Sequence, residues 1–369
     1  MDTSTGDISF DSNGVCNYCT AFAGKLDRDK GALANRQAHR EDFLDRVRAD
    51  GKGKEYDCIV GLSGGVDSSY ALYLAIENGL NPLAVHLDNG WNSELASHNI
   101  ANLVNKLGVD LYTHVIDWDE NRDMQRSFFK AHVVDIEILM DNAQAAVNYQ
   151  QAKKYKLKNI LSGTNTATEG IGYSKRFYQF KFDVKNIRSI HKKFGSIPIK
   201  THPLISTIDW LFYEHMRGIK WINFLDYFNY NKSSAVETLI QEVDYKPYQY
   251  KHYESVFTRF YQGYILPKKF GFDKRRVHLS ALIITGQMGR TEALGHFERD
   301  PYPDLNQLRF DKEFVMKKLG FNEDEFDNYI KTPGVSHNNY RSETWLINSL
   351  VNLKQKFERI KKIGYKETK

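Results

Sequence analysis

The sequence predicts an α/β protein: a parallel sheet with helices on both faces, a small Cys-x-x-Cys knuckle before it and a helix-rich region after it. Three observations carry that expectation. Short apolar runs alternate with helical stretches between residues 56 and 162, the rhythm of βαβ units. The first run, 56–62, is short and mostly apolar, as a buried parallel strand requires. A Gly-rich loop joins the first run to the first helix, at the end of a strand where open parallel sheets bind ligands.

Taken in order, residues 8–20 read as a short strand, an Asn13-Gly14 turn and the knuckle holding Cys16 and Cys19. Residues 30–50 are charged and helical, with apolar points at Phe43, Leu44 and Val47, and 51–54 (Gly-Lys-Gly-Lys) read as a linker. Residues 56–62 form the first buried strand, and 68–78 a helix with Leu72, Ala75 and Ile76 inward. Residues 82–87 are the second strand. Residues 94–107 are a helix with Ile100, Leu103, Val104 and Leu107 on one face, and 109–116 are the third strand. Two helices fill 121–156, and 159–162 are the fourth strand. After about residue 200 the rhythm stops: 207–266 hold aromatics at mixed spacing and 280–369 read as mainly helical. The expected division is 1–52, 53–200 and 201–369, and the basic tail from Leu350 reads as the solvated face of a helix.

Composition narrows the function classes. The 369 residues are 41% hydrophobic and 26% charged, enough to bury a core and unlike a disordered chain. A net charge of +5 permits an anionic substrate but is small for a nucleic-acid binder of this length. Three cysteines cannot staple so long a chain. The polar, acidic start is not a signal peptide, and no apolar run reaches membrane-spanning length. The expectation is a cytoplasmic protein without a membrane partner.

The loop Ser63-Gly64-Gly65-Val66-Asp67-Ser68-Ser69 opens the first helix. Its glycines let backbone approach a ligand and adopt positive φ. The helix N-terminus behind it offers unpaired N–H groups and a positive dipole end. Three serine hydroxyls add neutral donors. Such a loop suits a polyphosphate, and Asp67 suits a Mg²⁺ ion bridging the phosphates. It is no Walker motif, since no lysine follows that could reach a γ-phosphate. Cleavage of ATP between the α and β phosphates is therefore expected. The plain alternative is a structural Gly-rich turn.

This loop resembles the Ser-Gly-Gly-x-Asp-Ser pyrophosphate loop of the N-type ATP pyrophosphatases, a group that includes GMP synthetase, NAD synthetase and asparagine synthetase. The resemblance implies a PP-loop fold and AMP-forming chemistry on a substrate oxygen, with ATP and Mg²⁺ as cofactors. His86 and Asp88 end the second strand, where such enzymes hold adenosine. The segment from Gly163 and Thr164 to Glu169 is similar to one in NAD synthetases, where Thr contacts ATP and Glu helps bind Mg²⁺. Asp67 and Glu169 would supply two hard oxygen ligands.

More closely, the chain resembles the N-acetyl sugar amidotransferase family of bacterial surface-polysaccharide (O-antigen) synthesis. The likeness rests on residues 10–19, the loop at 63–69, 163–165, Trp221-Ile222-Asn223 with Tyr227 and Tyr230, and the blocks 251–260, 266–271 and 273–280. It implies conversion of an acetamido group on a nucleotide-linked sugar into an acetamidino group, with a separate glutaminase and cyclase-like subunit supplying ammonia. Expected catalytic residues are Ser63, Asp67, Glu169 and Lys274. Lys251, His252, Arg259, Lys268, Lys269, Lys274, Arg275 and Arg276, interleaved with aromatics, are expected to hold the anionic sugar nucleotide. Arg275→Ala or Arg276→Ala should then raise the sugar-nucleotide KM alone. His252, Glu254 and His278 are acid–base candidates or structural residues. The family carries a further Cys-x-x-Cys ahead of this point. Cys16 and Cys19 are thus half of a tetrahedral zinc site, His39 is the first candidate to complete it, and a shortened start or a lost zinc ribbon is expected. Two rivals stand beside this reading: a tRNA-modifying enzyme of the same superfamily, and a non-catalytic ATP sensor.

Overall fold

The computed structural model describes residues 1–349 except 173, 249–252 and 303. Five parallel strands form one sheet in the order β3-β2-β1-β4-β5: β1 (Cys58–Gly61), β2 (Pro82–Asp88), β3 (Leu111–Val115), β4 (Asn159–Ser162) and β5 (Lys220–Asn223). Helices α1 (Asn17–Ala38) and α2 (Arg40–Gly51) precede the sheet. Its crossovers carry α3 (Val66–Glu77), α4 (Glu94–Leu107), α5 (Trp118–Lys130) and α6 (Ile138–Lys154). The short α7 (Thr166–Glu169), α8 (Val184–Phe194) and α9 (Thr207–Leu211) lie between β4 and β5. After β5 come α10 (Lys232–Val243), α11 (Val256–Phe260), α12 (Leu266–Phe270), α13 (Arg275–Ile284), α14 (Arg290–Gly295), α15 (Leu305–Leu319) and α16 (Glu323–Lys331).

Strand periodicity sorts the core into two layers. Cys58, Val60 and Leu62 point to one face, against Leu72 and Ala75 of α3, Leu103 of α4 and Leu239 of α10. Ile59, Leu83, Val85 and Ile160 point to the other, against Ala143, Ala146 and Val147 of α6. A third cluster lies off the sheet, where α5 and α8 meet α11 to α16 through Phe128, Phe129, Phe257, Phe260 and Phe326. Cys58 is fully buried in β1 and behaves as a small apolar residue. The sheet passes the boundary expected at residue 200, because β5 pairs with β4, Ile160 beside Trp221. At the N-terminus Phe10 bridges Cys16, the short hairpin read from Asn13-Gly14.

Arg259 is a correction. Its guanidinium grips the fully buried Asp311 of α15 through two bonds of 2.5 and 2.6 Å, and Tyr302 and Gln307 also donate to that carboxylate. A buried carboxylate needs such a partner, so Arg259 serves the C-terminal core, not a substrate. Asp311→Ala should lower stability by about 3–5 kcal/mol, because it leaves the guanidinium buried and unpaired. Urea denaturation measures this; a loss below about 1 kcal/mol would place the pair among solvated ones.

Candidate active site

β1 pairs with β2 on one side and β4 on the other, so the chain reverses its winding beside β1. A crevice at that switch point follows from the topology. A cleft of about 560 Å³ lies there. The loops after β1, β2 and β4, one face of α6, and residues from α10 to α13 line it.

Gly65 begins α3, and no side chain caps that helix, which leaves its first-turn N–H groups for a ligand. Gly64 needs positive φ, +82°. Ser63 and Ser68 brace the turn: Ser63 N donates to Ser68 Oγ at 3.2 Å, the two hydroxyls stand 3.0 Å apart, and Ser68 Oγ donates to Gly65 O at 3.1 Å. Ser63, Gly65, Val66, Asp67, Ser68, His86, Gly163, Thr164 and Glu169 all line the cleft. Three expected nucleotide contacts do not. The Gly64 carbonyl accepts from Tyr245 and Tyr248 at 3.1 and 3.0 Å. The Ser69 side chain is buried and its Oγ has no hydrogen-bond partner. Asp88 accepts from Gly90 N at 2.9 Å within its own turn.

His86 is neutral: burial lowers its pKa. Nδ1 donates to Leu62 O at 2.8 Å, so Nε2 accepts from Asn92 Nδ2 at 2.9 Å. Asp67 accepts a hydrogen bond from Tyr230. Burial, then Asp67, then Glu169 raise the pKa of that phenol, so it stays protonated and the two carboxylates converge on it. Two carboxylates fit a Mg²⁺ ion that completes its shell with phosphate and water oxygens. Among the described residues no cluster of three or more His, Cys, Asp and Glu forms a metal site. Zinc is not supported at the knuckle, where Cys16 and Cys19 are two of the four ligands it needs. Cys16 caps α1, its Sγ accepting from Cys19 N at 3.3 Å. Burial, aided by Cys16, pushes the Cys19 thiol up to about 11. His39 stands at the far end of the 22-residue α1, about 33 Å along the helix.

Of the expected substrate cations, Lys274 lines the cleft. Lys251 and His252 lie outside the described residues. The others are corrections. Lys269 donates to the carbonyls of Tyr329 and Thr332 under the Tyr329 ring, and burial lowers its pKa to about 8. Arg275 pairs with Asp273 at 2.7 Å and donates to the carbonyls of His296 and Arg299. Arg276 pairs with Asp2 at 2.9 Å over the Phe297 ring. Lys268 is exposed and away from the lining. The expected effect of Arg275 and Arg276 on sugar-nucleotide KM loses its basis, since both guanidinium groups already have partners.

Several positioning residues were not singled out from sequence. Buried Asp226 accepts from Thr166 N and Oγ1, each at 2.8 Å, and from Arg36, which anchors the turn carrying Glu169. The loop after β2 pairs with residues 254–256: Ser93 N donates to Glu254 O, and Val256 N to Trp91 O, each at 2.9 Å. Lys232 is the second cation lining the cleft.

Sheet order, loop and cleft define a PP-loop-type nucleotide-binding domain. Comparison agrees: residues 38–197 match the NAD synthase family, and residues 254–354 match the C-terminal domain of WbpG-like LPS biosynthesis proteins. The chain joins an NAD synthase-type PP-loop domain to a WbpG-like C-terminal domain. Among solved structures it is similar to NMN synthetase from Francisella tularensis, at 15% identity over 82% of this chain and 95% of that one, with a TM-score of 0.33. It is also similar to an NH3-dependent NAD synthetase from Campylobacter jejuni subsp. jejuni NCTC 11168, at 15% identity over 57% and 93%, with a TM-score of 0.29. Neither likeness is close enough to carry residue roles across. No curated protein matches the chain.

A Cβ on Gly163 would stand 2.5 Å from Asp67 C and Ser68 N. Gly163→Ala should weaken MgATP binding by roughly tenfold or more, because backbone cannot swing aside and the loop must shift. Calorimetric titration would show it; unchanged affinity would mean that β4 can retreat from α3.

Proposed function

We propose that this chain is an ATP-dependent amidotransferase for surface-polysaccharide (LPS O-antigen) synthesis. It adenylates the acetamido oxygen of a nucleotide-linked N-acetyl sugar and replaces that oxygen with nitrogen from ammonia. The carrying observation is a single cleft that joins a lysine-free phosphate loop to residues of the WbpG-like segment, Glu254 to Lys274.

The chemistry balances in two displacements. The amide oxygen attacks the α-phosphorus of ATP, and pyrophosphate leaves. Ammonia then attacks the imidate carbon; AMP leaves with the former amide oxygen, and an amidine remains. First-turn N–H groups of α3 and the Ser63 hydroxyl receive charge developing on pyrophosphate, with Ser68 bracing the turn. Asp67 and Glu169 would hold Mg²⁺, which supplies Lewis-acid stabilisation of the same charge. Tyr230 orients Asp67. Lys274 offers a cation to the adenylated imidate or to the sugar-nucleotide end. Ammonia comes from a separate glutaminase subunit. In support, none of the three cysteines lines the cleft, and a glutaminase needs an activated thiol.

The test incubates the chain with ATP, Mg²⁺, ammonium and a panel of nucleotide-linked acetamido sugars. Expected products are AMP, pyrophosphate and a sugar lighter by about one dalton, O exchanged for NH. Asp67→Ala should lower turnover ~10²-fold or more. ADP and phosphate as products would overturn the reading. Use of glutamine as readily as ammonium would overturn the separate glutaminase.

A further inference from the structure

α6 enters the cleft along one face. Glu137 just before it, then Met140, Asp141 and Gln144, all line the cleft. Spacings of three and four put them on one stripe. One turn further, buried Asn148 abuts β1: a Cβ on Gly61 would stand 3.1 Å from its Oδ1, an acceptor with no hydrogen-bond partner. The stripe therefore starts beside the phosphate loop and climbs away from it. From Gln144 to Glu137 it covers about 10 Å.

Its carboxylates are held by neighbouring side chains. Asp141 stands 2.8 Å from Lys181 Nζ, which also holds buried Asp135 at 2.8 Å. Glu137 accepts from Gln262 Nε2 at 3.0 Å and faces Lys274 Nζ at 4.0 Å. Each carboxylate is thus locally compensated, and Asp141, its side chain 46% exposed, keeps lone pairs for further donors. Such groups do not invite a phosphate. They accept hydrogen bonds from hydroxyl and N–H donors. The Gln144 amide adds a donor and an acceptor, and Met140, Trp221 and Phe257 supply apolar surface nearby. Many acceptors beside apolar faces suit a carbohydrate ring.

We infer that Glu137, Asp141 and Gln144 form the sugar-binding wall of the cleft, recognising ring hydroxyls and the acetamido N–H. The inference rests on the proposed sugar substrate and assigns recognition of its ring to α6, with Lys274 the described cation of the 268–276 block that lines the same cleft.

Saturation-transfer NMR tests it, with UDP-N-acetylglucosamine as probe and UDP as control, in the presence of Mg²⁺ and α,β-methylene-ATP. Wild type should transfer saturation to pyranose and acetamido protons. Asp141→Asn and Gln144→Met should each weaken UDP-N-acetylglucosamine on the order of tenfold, with UDP and the ATP analogue bound as before. Gln144→Met disturbs neither ion pair, and retained binding of the analogue reports an intact fold. Transfer to uridine protons alone, or variants that bind the sugar nucleotide as tightly as wild type, would overturn the inference. Failure of the amidotransferase reading looks different: a sugar nucleotide held by this wall that yields no amidine.

Discussion

The end of β4 and the first turn of α3 run so close together that one methyl group on Gly163 would overlap the Asp67–Ser68 backbone. That approach sets the spacing of the two loops that make the nucleotide end of the cleft. It brings the turn carrying Glu169 beside the loop carrying Asp67. Tyr230 then ties the pair together through its bond to Asp67, and Asp226 holds the β4 turn by two hydrogen bonds. Both come from the segment after β5, so the fifth strand belongs to the site as much as to the sheet. A sheet ending at β4 would lack both anchors.

Charge is distributed against first intuition. The chain carries a net +5, yet among the described residues five carboxylates and two lysines line the cleft. Four cations of the basic block, Arg259, Lys269, Arg275 and Arg276, are bound elsewhere, to Asp311, Asp273, Asp2 and the carbonyls of Tyr329 and Thr332. All of these contacts but Arg275–Asp273 tie distant segments together, such as Arg276 to Asp2, 274 positions apart in sequence. The guanidinium fork suits that task because it meets a carboxylate with two parallel bonds.

The sheet was legible because buried parallel strands are continuous apolar runs, and four of five were read within about two residues. β5 was not, since Lys220-Trp221-Ile222-Asn223 is an edge strand of four residues, none fully buried. The loop at 63–69 and the turn at 163–169 were legible because glycine and serine types carry their chemistry in the backbone. Arg259 misled because its partner lies 52 residues away, and composition cannot tell a cation facing solvent from one facing a buried carboxylate. The α6 stripe went unseen for a simple reason. Helix reading looks for apolar period, and the polar positions between apolar ones read as solvent-facing until the cleft is located.

The architecture separates two tasks on one helix. The inner face of α6 is mostly small, with Ala143, Ala146, Val147 and Ala152 against the sheet, which lets the helix sit close to β1 and β4. Glu137, Asp141 and Gln144 face the cleft, and Met140 on the same stripe lines it while also packing against that cluster. Substitutions on the stripe can therefore alter what the cleft accepts without moving the strands that place Asp67, Gly163 and Glu169. Adenylation requires the α-phosphorus to meet one oxygen of the second substrate, so the outer half must hold that substrate rigidly relative to the loop. A helix anchored on the sheet meets this requirement better than a solvated basic loop would, because its side chains inherit the rigidity of the strands beneath.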